Sequence, residues 1–243
     1  SLSMKKTLIA LIALAGVAMG ETLTWDFSAE GPFIGGTKGG STTTTEVEIG
    51  GITTTAITGT TAYWETDTTK LYDMLHGSAT GGQVTFSMDI YWTGTSSNWE
   101  TFVHVGQKEC GITLGMSSAG QLTFANGNQY AQDLVAEAQL SANEWQTVAF
   151  TLSKGQTTIT IGENVYTGNN ISWADMSWAT VESESDKYKY SLGCGAPGWN
   201  GLYAMSNNVQ IANMRVDYMV PEPATATLSL LALAGLAARR RRK

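Results

Sequence analysis

The stretch Val84–Trp92 reads Val-Thr-Phe-Ser-Met-Asp-Ile-Tyr-Trp, so that apolar residues alternate with Thr, Ser, Asp and Tyr. Successive side chains of a β-strand point to opposite faces of a sheet. The alternation therefore predicts a strand with one face turned to a hydrophobic core and the other turned away from it.

The same period of two recurs along the chain. Its alternating apolar residues are Leu23, Trp25 and Phe27; Cys110, Ile112, Leu114 and Met116; Val148, Phe150 and Leu152; Tyr188, Tyr190, Leu192 and Cys194; and Met214, Val216 and Tyr218. Turns rich in Gly or Asn separate these segments. Many short strands predict an antiparallel β-sandwich, with a jelly roll and an up-and-down barrel as neighbouring architectures. No internal repeat is found, which argues against a propeller or a solenoid.

Helix signals are few. Only Thr69–His76 and Asp133–Gln139 predict short helices. The chain has eight tryptophans, and three of them, Trp25, Trp92 and Trp145, alternate with apolar neighbours. These three are predicted to lie in the core.

One stretch carries a family resemblance. Leu140–Leu152 combines a polar turn, Trp145 and an alternating Val-Ala-Phe strand, and a hairpin follows in which Thr157–Ile161 and Val165–Tyr166 flank a turn. This order resembles the concanavalin A-like, laminin G-type domains. The chain departs from their pattern at the turn, where Gly162-Glu163-Asn164 replaces the usual Asp-Gly.

The resemblance implies an all-β fold with two antiparallel sheets, a concanavalin A-like jelly roll, over residues 21–219. It also implies that the last strand, Val209–Tyr218, pairs beside the first strand of the domain.

The N-terminal residues are typical of a secretory signal. Lys5 and Lys6 supply positive charge, Thr7–Val17 is apolar, and small residues close the segment at Gly20. This pattern predicts a helical signal peptide over residues 1–20 that is cleaved before Glu21. A retained membrane anchor is the alternative, but the apolar run is short for a hydrocarbon core of about 30 Å.

The C-terminal residues have three elements in order. They are Pro221-Glu222-Pro223, the uncharged hydrophobic stretch Ala224–Ala238 and the basic cluster Arg239–Lys243. The order resembles the PEP-CTERM sorting signal of Gram-negative bacteria, so residues 220–243 are interpreted as a sorting tail with a hydrophobic helix. The resemblance implies an exosortase-type partner that processes the tail after it enters the membrane. A plain C-terminal anchor is the alternative, and either arrangement leaves the basic cluster on the cytoplasmic side.

The charge between the two ends is strongly negative. Seven of the 14 Lys and Arg lie in the ends, whereas all 21 acidic residues lie from residue 21 to Pro223, which leaves a net charge of −14 there. A surface of that sign repels nucleic acid and anionic lipid, so nucleic-acid binding is excluded.

The chain has two cysteines, Cys110 and Cys194. An exported protein enters an oxidising compartment, where an even pair can form a disulfide. Both residues also lie in alternating apolar segments, where they would be buried and reduced. The sequence leaves both alternatives open.

Catalytic motifs are missing from the sequence. Retaining glycoside hydrolases need two closely spaced carboxyl groups, and the resemblance to their superfamily points to Glu-x-Asp-x-Glu or Glu-x-Asp-x-x-Glu spacing. The nearest match begins at Glu65-Thr66-Asp67 but has Thr69 or Lys70 in place of the third acid, and the acids of 182–186 read as a solvated loop. The two histidines, His76 and His104, lack metal-ligand spacing, and His104 falls within a strand. No catalytic residue is assigned.

Other aromatic residues lie in Gly-, Asn- or Ser-rich surroundings, where exposed rings stack on sugar faces. The candidate ligand-binding residues are Trp173, Trp178, Trp199, Asn200 and Tyr203. The alternative is that Trp199 packs against the sandwich and closes a long loop. Trp99 has similar surroundings.

Calcium is a candidate cofactor. Related sandwiches bind Ca²⁺ near their paired first and last strands, and Asp26 and Asp217 fall on those strands.

The sequence therefore predicts an exported, non-enzymatic binding or structural module that recognises glycan or a surface polymer. Its expected location is the outer membrane, the cell surface or the extracellular matrix of a Gram-negative bacterium. A secreted glycoside hydrolase with an unrecognised acid pair is the alternative, and a purely structural matrix protein is a third.

Overall fold

The fold was analysed in a computed structural model. The structure describes residues 20–25, 27–28, 39–40, 43–59, 61–62, 64–65, 82–96, 99–105, 112–126, 133–153, 156–168, 189–192 and 205–219. In these ranges all regular secondary structure is β. The strands are β1 (Gly20–Thr24), β2 (Gly39–Gly40), β3 (Thr43–Ile49), β4 (Ile52–Thr58), β5 (Thr61–Ala62), β6 (Trp64–Glu65), β7 (Gln83–Trp92), β8 (Glu100–Val105), β9 (Ile112–Met116), β10 (Gln121–Asn126), β11 (Asp133–Gln139), β12 (Trp145–Ser153), β13 (Gln156–Ile161), β14 (Asn164–Gly168), β15 (Lys189–Leu192) and β16 (Val209–Met219).

The larger sheet has eight strands in the order β14-β13-β12-β7-β16-β4-β3, with β1 added beside β16. All its pairs are antiparallel. The alternating stretch Val84–Trp92 forms most of β7 and lies in the middle of this sheet, between β12 and β16. The predicted pairing of the first and last strands is confirmed, since Gly20 lies opposite Met219 and Thr24 opposite Arg215.

The second sheet has six strands in the order β11-β10-β9-β8-β15-β6, and β2 and β5 form a small separate pair. The two large sheets bury one hydrophobic core between them. Phe124 of β10 and Phe150 of β12 join the sheets, with ring centroids 6.4 Å apart and planes tilted by 57°. Both side chains are fully buried. Aromatic pairs prefer such a tilted arrangement to a flat stack. The all-β, two-sheet prediction is confirmed.

The predicted hairpin after β12 is also confirmed, as β13 and β14 joined at Gly162-Glu163. Gly162 has a φ of 57°, a left-handed conformation that favours glycine. The turn thus replaces the Asp-Gly of the resembling domains with a glycine that supplies the same backbone freedom.

The helix predicted for Asp133–Gln139 is wrong, because these residues form β11. Its described end alternates in burial, with Ala138 fully buried between the exposed Glu137 and Gln139. Ala, Glu and Gln favour helix, but pairing with β10 and burial in the core determine the structure. The other helix prediction, Thr69–His76, lies outside the described residues.

Two of the three tryptophans predicted for the core lie there, since Trp25 and Trp92 belong to the buried cluster. The prediction for Trp145 is wrong. Trp145 lies opposite Tyr91 in the β12–β7 pair, three residues before the buried Val148, and therefore on the other face of the sheet.

The predicted signal helix and the hydrophobic helix of the tail both lie outside the described residues. Within the described ranges, no helix has the length and apolar character needed to cross a bilayer.

Candidate functional site

The outer face of the eight-stranded sheet carries an aromatic pair. Tyr91 of β7 and Trp145 of β12 are direct cross-strand neighbours, and both rings are half-buried. Their centroids lie 5.6 Å apart and their planes are tilted by 48°. Gln210 of β16 lies opposite Tyr91 on its other side, so an amide-bearing residue borders the pair. The two ring planes are therefore not parallel.

A polar network lies next to this pair on the same face. Asp89 of β7 is only 8% exposed, and its carboxylate accepts hydrogen bonds from Thr147 Oγ1 at 2.6 Å and from Asn213 Nδ2 at 2.7 Å. Asn213 Oδ1 in turn accepts a hydrogen bond from Thr54 Oγ1 at 2.8 Å. The network therefore crosses four strands, β12, β7, β16 and β4. Buried carboxylates require such partners because an unpaired buried charge is costly.

Asn213 lies at an irregularity of β16. The pairing of β16 with β7 shifts between Ala212 and Arg215, and the φ of Asn213 is 51°. On the opposite edge of β16, β4 pairs up to Ala212 and β1 pairs from Arg215 onward. Asn213 thus lies where β1 and β4 separate, and asparagine tolerates the left-handed backbone better than most residues.

A pocket of about 310 Å³ opens at this separation. The described residues that line it are Trp25, Phe27, Ser28, Glu46, Thr53, Thr54, Thr55 and Asn213. Two of these are aromatic and belong to the buried core, and most others carry a hydroxyl or an amide. Glu46 of β3 is exposed. Among the described lining residues, it contributes the one ionisable side chain.

The other buried carboxylate of the described residues, Glu100, has a structural position. It is 3% exposed and accepts hydrogen bonds from the Ser206 backbone N–H at 2.6 Å, from Ser206 Oγ at 2.7 Å and from Ser96 Oγ. It therefore joins the loop after β7 to the segment that enters β16.

His104 is fully buried in β8, and its Nδ1 lies 2.8 Å from Thr113 Oγ1 of β9. The sequence interpretation of His104 as a strand residue is confirmed. Its enclosed position suits packing and hydrogen bonding rather than contact with a substrate.

Most residues that the sequence singled out lie outside the described ranges. They are Trp173, Trp178, Trp199, Asn200 and Tyr203, the cysteines Cys110 and Cys194, Asp26, and Pro221-Glu222-Pro223. The other proposed calcium ligand, Asp217, is described. Its carboxylate accepts a hydrogen bond from Thr22 Oγ1 at 2.7 Å and pairs with Arg215 at 3.0 Å. In the described part of the chain, no three His, Cys, Asp or Glu side chains converge on a common metal position.

Sequence reasoning missed Tyr91, Glu46 and Asn213 as site residues and placed Trp145 in the core. Residues an odd number of positions apart on a strand lie on opposite faces, so the spacing of Trp145 and Val148 places Trp145 on the outer face. Tyr91 becomes its neighbour once β7 and β12 are paired. No local pattern signals Glu46 or Asn213, because they approach the pocket through strand pairing.

The comparison with protein families assigns this sandwich. The family model of the concanavalin A-like lectin/glucanases superfamily matches residues 58–181, which is just over half of the chain. The chain belongs to this superfamily. A second model, the PEP-CTERM protein-sorting motif, matches residues 220–243. The superfamily domain is thus followed by a motif that implies export and surface sorting in a Gram-negative bacterium.

Solved structures are similar to the chain at low identity. The chain is 13% identical to the cellulose induced protein Cip1, covering 80% of this chain and 96% of that one with a TM-score of 0.47. It is 14% identical to domain 4 of AbnA, an arabinanase from Geobacillus stearothermophilus solved with arabinotriose, covering 87% of each chain at 0.45. For a Trypanosoma rangeli sialidase the identity is 11%, the TM-score is 0.43 and the coverage is 67% of this chain. The chain spans only 24% of the sialidase's length. Among curated proteins, none matches the chain.

Proposed function

We propose that this protein is an exported, non-enzymatic module that binds carbohydrate at the envelope or in the extracellular matrix of a Gram-negative bacterium. Membership of a superfamily of lectins and glucanases supports a carbohydrate ligand. The sorting motif supports delivery to the surface by an exosortase-type enzyme.

The observation that carries the proposal is the outward-facing pair of Tyr91 and Trp145. Aromatic rings offer sugars a flat apolar surface at a small entropic cost, and Gln210 stands beside the pair to bond hydroxyls. Trp173, Trp178, Trp199, Asn200 and Tyr203 remain proposed contacts of the same ligand class.

Binding to immobilised surface polysaccharides tests the proposal. Trp145→Ala and Tyr91→Ala are expected to weaken retention at least about tenfold, because each removes a stacking ring. Tyr91→Phe is the matched control, since it keeps the ring and removes only the hydroxyl. Unchanged retention in both alanine variants, or no retention of any polysaccharide by the unmodified protein, would contradict the proposal.

The two carboxylates that are buried in the described ranges serve internal hydrogen bonds, Asp89 to Thr147 and Asn213, and Glu100 to Ser206 and Ser96. Their hydrogen bonds therefore link strands and loops within the domain. Release of reducing ends from any bound polysaccharide would instead favour the glycoside hydrolase alternative.

Calcium at Asp26 and Asp217 remains a separate proposal. It predicts that Ca²⁺ raises the melting temperature and that Asp217→Asn abolishes the rise.

A further inference from the structure

The last strand of the domain ends directly before the sorting motif. β16 ends at Met219, and the motif matches residues 220–243. The uncharged hydrophobic stretch Ala224–Ala238 begins five residues after Met219. A chain spans at most about 3.6 Å per residue, so even a fully extended connection between Met219 and this stretch reaches only about 18 Å. The end of β16 therefore stays close to any membrane that the tail enters.

We propose that the fold orients the domain on the membrane before the tail is processed. The end of the larger sheet at Met219 faces the lipid surface, and the pair of Tyr91 and Trp145 lies at the end of the sheet that points away from it. The inference rests on the delivery by the sorting motif that the proposed function includes. It is independent of carbohydrate binding, because it concerns only which part of the domain contacts lipid.

The N-terminal segment joins the domain at the same end. Gly20 of β1 lies directly opposite Met219, and both residues are exposed. Residues opposed in this way have Cα atoms about 4.5–5.5 Å apart. The predicted signal peptide ends at Gly20, so the two segments that are predicted to enter the membrane adjoin neighbouring strands. Both segments therefore indicate the same membrane-facing end.

Four neighbouring strands meet at this end in a row that we call the rim. It consists of Gly20 of β1, Met219 of β16, Gln83 of β7 and Ser153 of β12. Tyr91 lies eight residues beyond Gln83 on β7. Because a strand rises about 3.3 Å per residue, Tyr91 lies about 26 Å from the rim. A domain that stands on its rim thus presents the aromatic pair to the surroundings.

The other ways of placing the sheet are less favourable. None of the four rim residues is charged, whereas the edge strand β3 exposes Glu46 and Glu48. Anionic headgroups repel these carboxylates, which disfavours tipping the domain onto β3. The opposite edge strand, β14, lies four strand spacings from β16. Tipping the domain onto β14 would lift β16 by about 19 Å, which exceeds the reach of the connection.

Paramagnetic broadening of amide signals measures the orientation. The full chain is reconstituted in phosphatidylcholine nanodiscs that carry a gadolinium chelate on some headgroups, and its spectrum is compared with that in nanodiscs without gadolinium. The matched amides, one at the rim and one near the far end of the same strand, are Gln83 and Tyr91, Ser153 and Gln146, and Met219 and Val209.

Broadening decreases with the sixth power of distance, and the two amides of each pair are more than about 20 Å apart along their strand. We therefore expect the rim amide of each pair to broaden at least about tenfold more than its partner. Equal broadening at both ends, or stronger broadening at Tyr91 and Gln146, would overturn the proposal, because the outer face of the sheet would then contact the lipid.

A flexible insertion tests the short connection itself. About 12 Gly and Ser residues inserted between Met219 and Val220 add about 20 Å to its mean reach, so the difference between the two ends should fall below about twofold. The same insertion between Gly50 and Gly51, in the exposed turn that joins β3 to β4, is the matched control and should preserve the difference. A difference that persists with the first insertion would also overturn the proposal.

The polysaccharide assay distinguishes this inference from the proposed function. Retention of a polysaccharide by a chain whose two ends broaden equally removes only the orientation. An oriented chain that retains no polysaccharide removes only the carbohydrate ligand.

Discussion

The side-chain amide of Asn213 donates a hydrogen bond of 2.7 Å to the carboxylate of Asp89 across the β16–β7 pair. The contact links an irregular point of one strand to the regular centre of the next. Since the pocket opens beside Asn213, the shape of the pocket depends on a carboxylate in the middle of the sheet. The stability of the sheet and the geometry of the candidate site are therefore coupled through this hydrogen bond.

Asp89→Ala is expected to lower the free energy of unfolding by about 2–3 kcal/mol. The substitution leaves the donors of Thr147 and Asn213 without their charged acceptor, and hydrogen bonds to charged groups contribute more than neutral ones. Urea denaturation of the full chain measures the loss. Glu48→Ala, which removes an exposed carboxylate, should cost less than about 0.5 kcal/mol. Equal losses of stability in the two variants would show that the hydrogen bonds of Asp89 do not stabilise the fold.

The backbone of Asn213 leads to a second prediction. Asn213→Gly and Asn213→Ala both remove the side-chain hydrogen bonds to Thr54 and Asp89, but glycine adopts a φ of 51° without the steric cost that alanine meets. The alanine variant should therefore be less stable than the glycine variant by about 1 kcal/mol. Urea denaturation of the two variants gives the difference directly. A glycine variant no more stable than the alanine variant would mean that the backbone relaxes freely at this position.

The strand pattern of the sequence predicts the fold because burial in a two-sheet sandwich repeats every second residue. β7 illustrates this, since its apolar residues are all core residues. The prediction fails for Asp133–Gln139, where helix-favouring residues form β11 and the described side chains of Glu137, Ala138 and Gln139 alternate in burial. The order of the strands in each sheet depends on pairing between distant segments, which the local pattern does not report. The family resemblance predicted the sandwich topology instead.

The candidate site is much less predictable than the fold. Asn213 lies 159 residues from Thr54 and 124 residues from Asp89 along the chain, and only the order of strands in the sheet brings them together. The pocket likewise combines Glu46 of β3 with Trp25 after β1. A sequence pattern reports which face a residue occupies, but it does not report which strands become neighbours.

Gly115 provides a test of packing between β8 and β9. A Cβ added at Gly115 would overlap the carbonyl oxygen of Glu100 in the adjacent strand. Because this oxygen belongs to the backbone, Gly115→Ala must displace a strand. We expect the substitution to lower the free energy of unfolding by about 3 kcal/mol. Gly162→Ala is the control, since it meets no atom within 4 Å and bears only the strain of its positive φ, about 1 kcal/mol. If β8 and β9 separated readily, Gly162→Ala would lower the free energy of unfolding more than Gly115→Ala.

The acceptor role of Glu100 leads to a graded prediction. Its carboxylate receives the Ser206 backbone N–H and the hydroxyls of Ser206 and Ser96. In Glu100→Gln, the amide oxygen can still accept from the backbone N–H while the amide nitrogen donates to hydroxyls, which can rotate to accept. That variant should lower the free energy of unfolding by only about 1 kcal/mol, mainly because a charged acceptor makes stronger hydrogen bonds than a neutral one.

Glu100→Ala has no acceptor at all, so it should lose about 3 kcal/mol or more. Hydrogen exchange separates this local effect from a general loss of stability. The Ser206 amide should exchange faster in the alanine variant under conditions where the amides of β12 stay protected, and it should remain protected in the glutamine variant. Such a result assigns to Glu100 the attachment of the segment before β16 to the loop after β7. Equal exchange at Ser206 in both variants would instead mean that β16 holds this segment through backbone pairing alone.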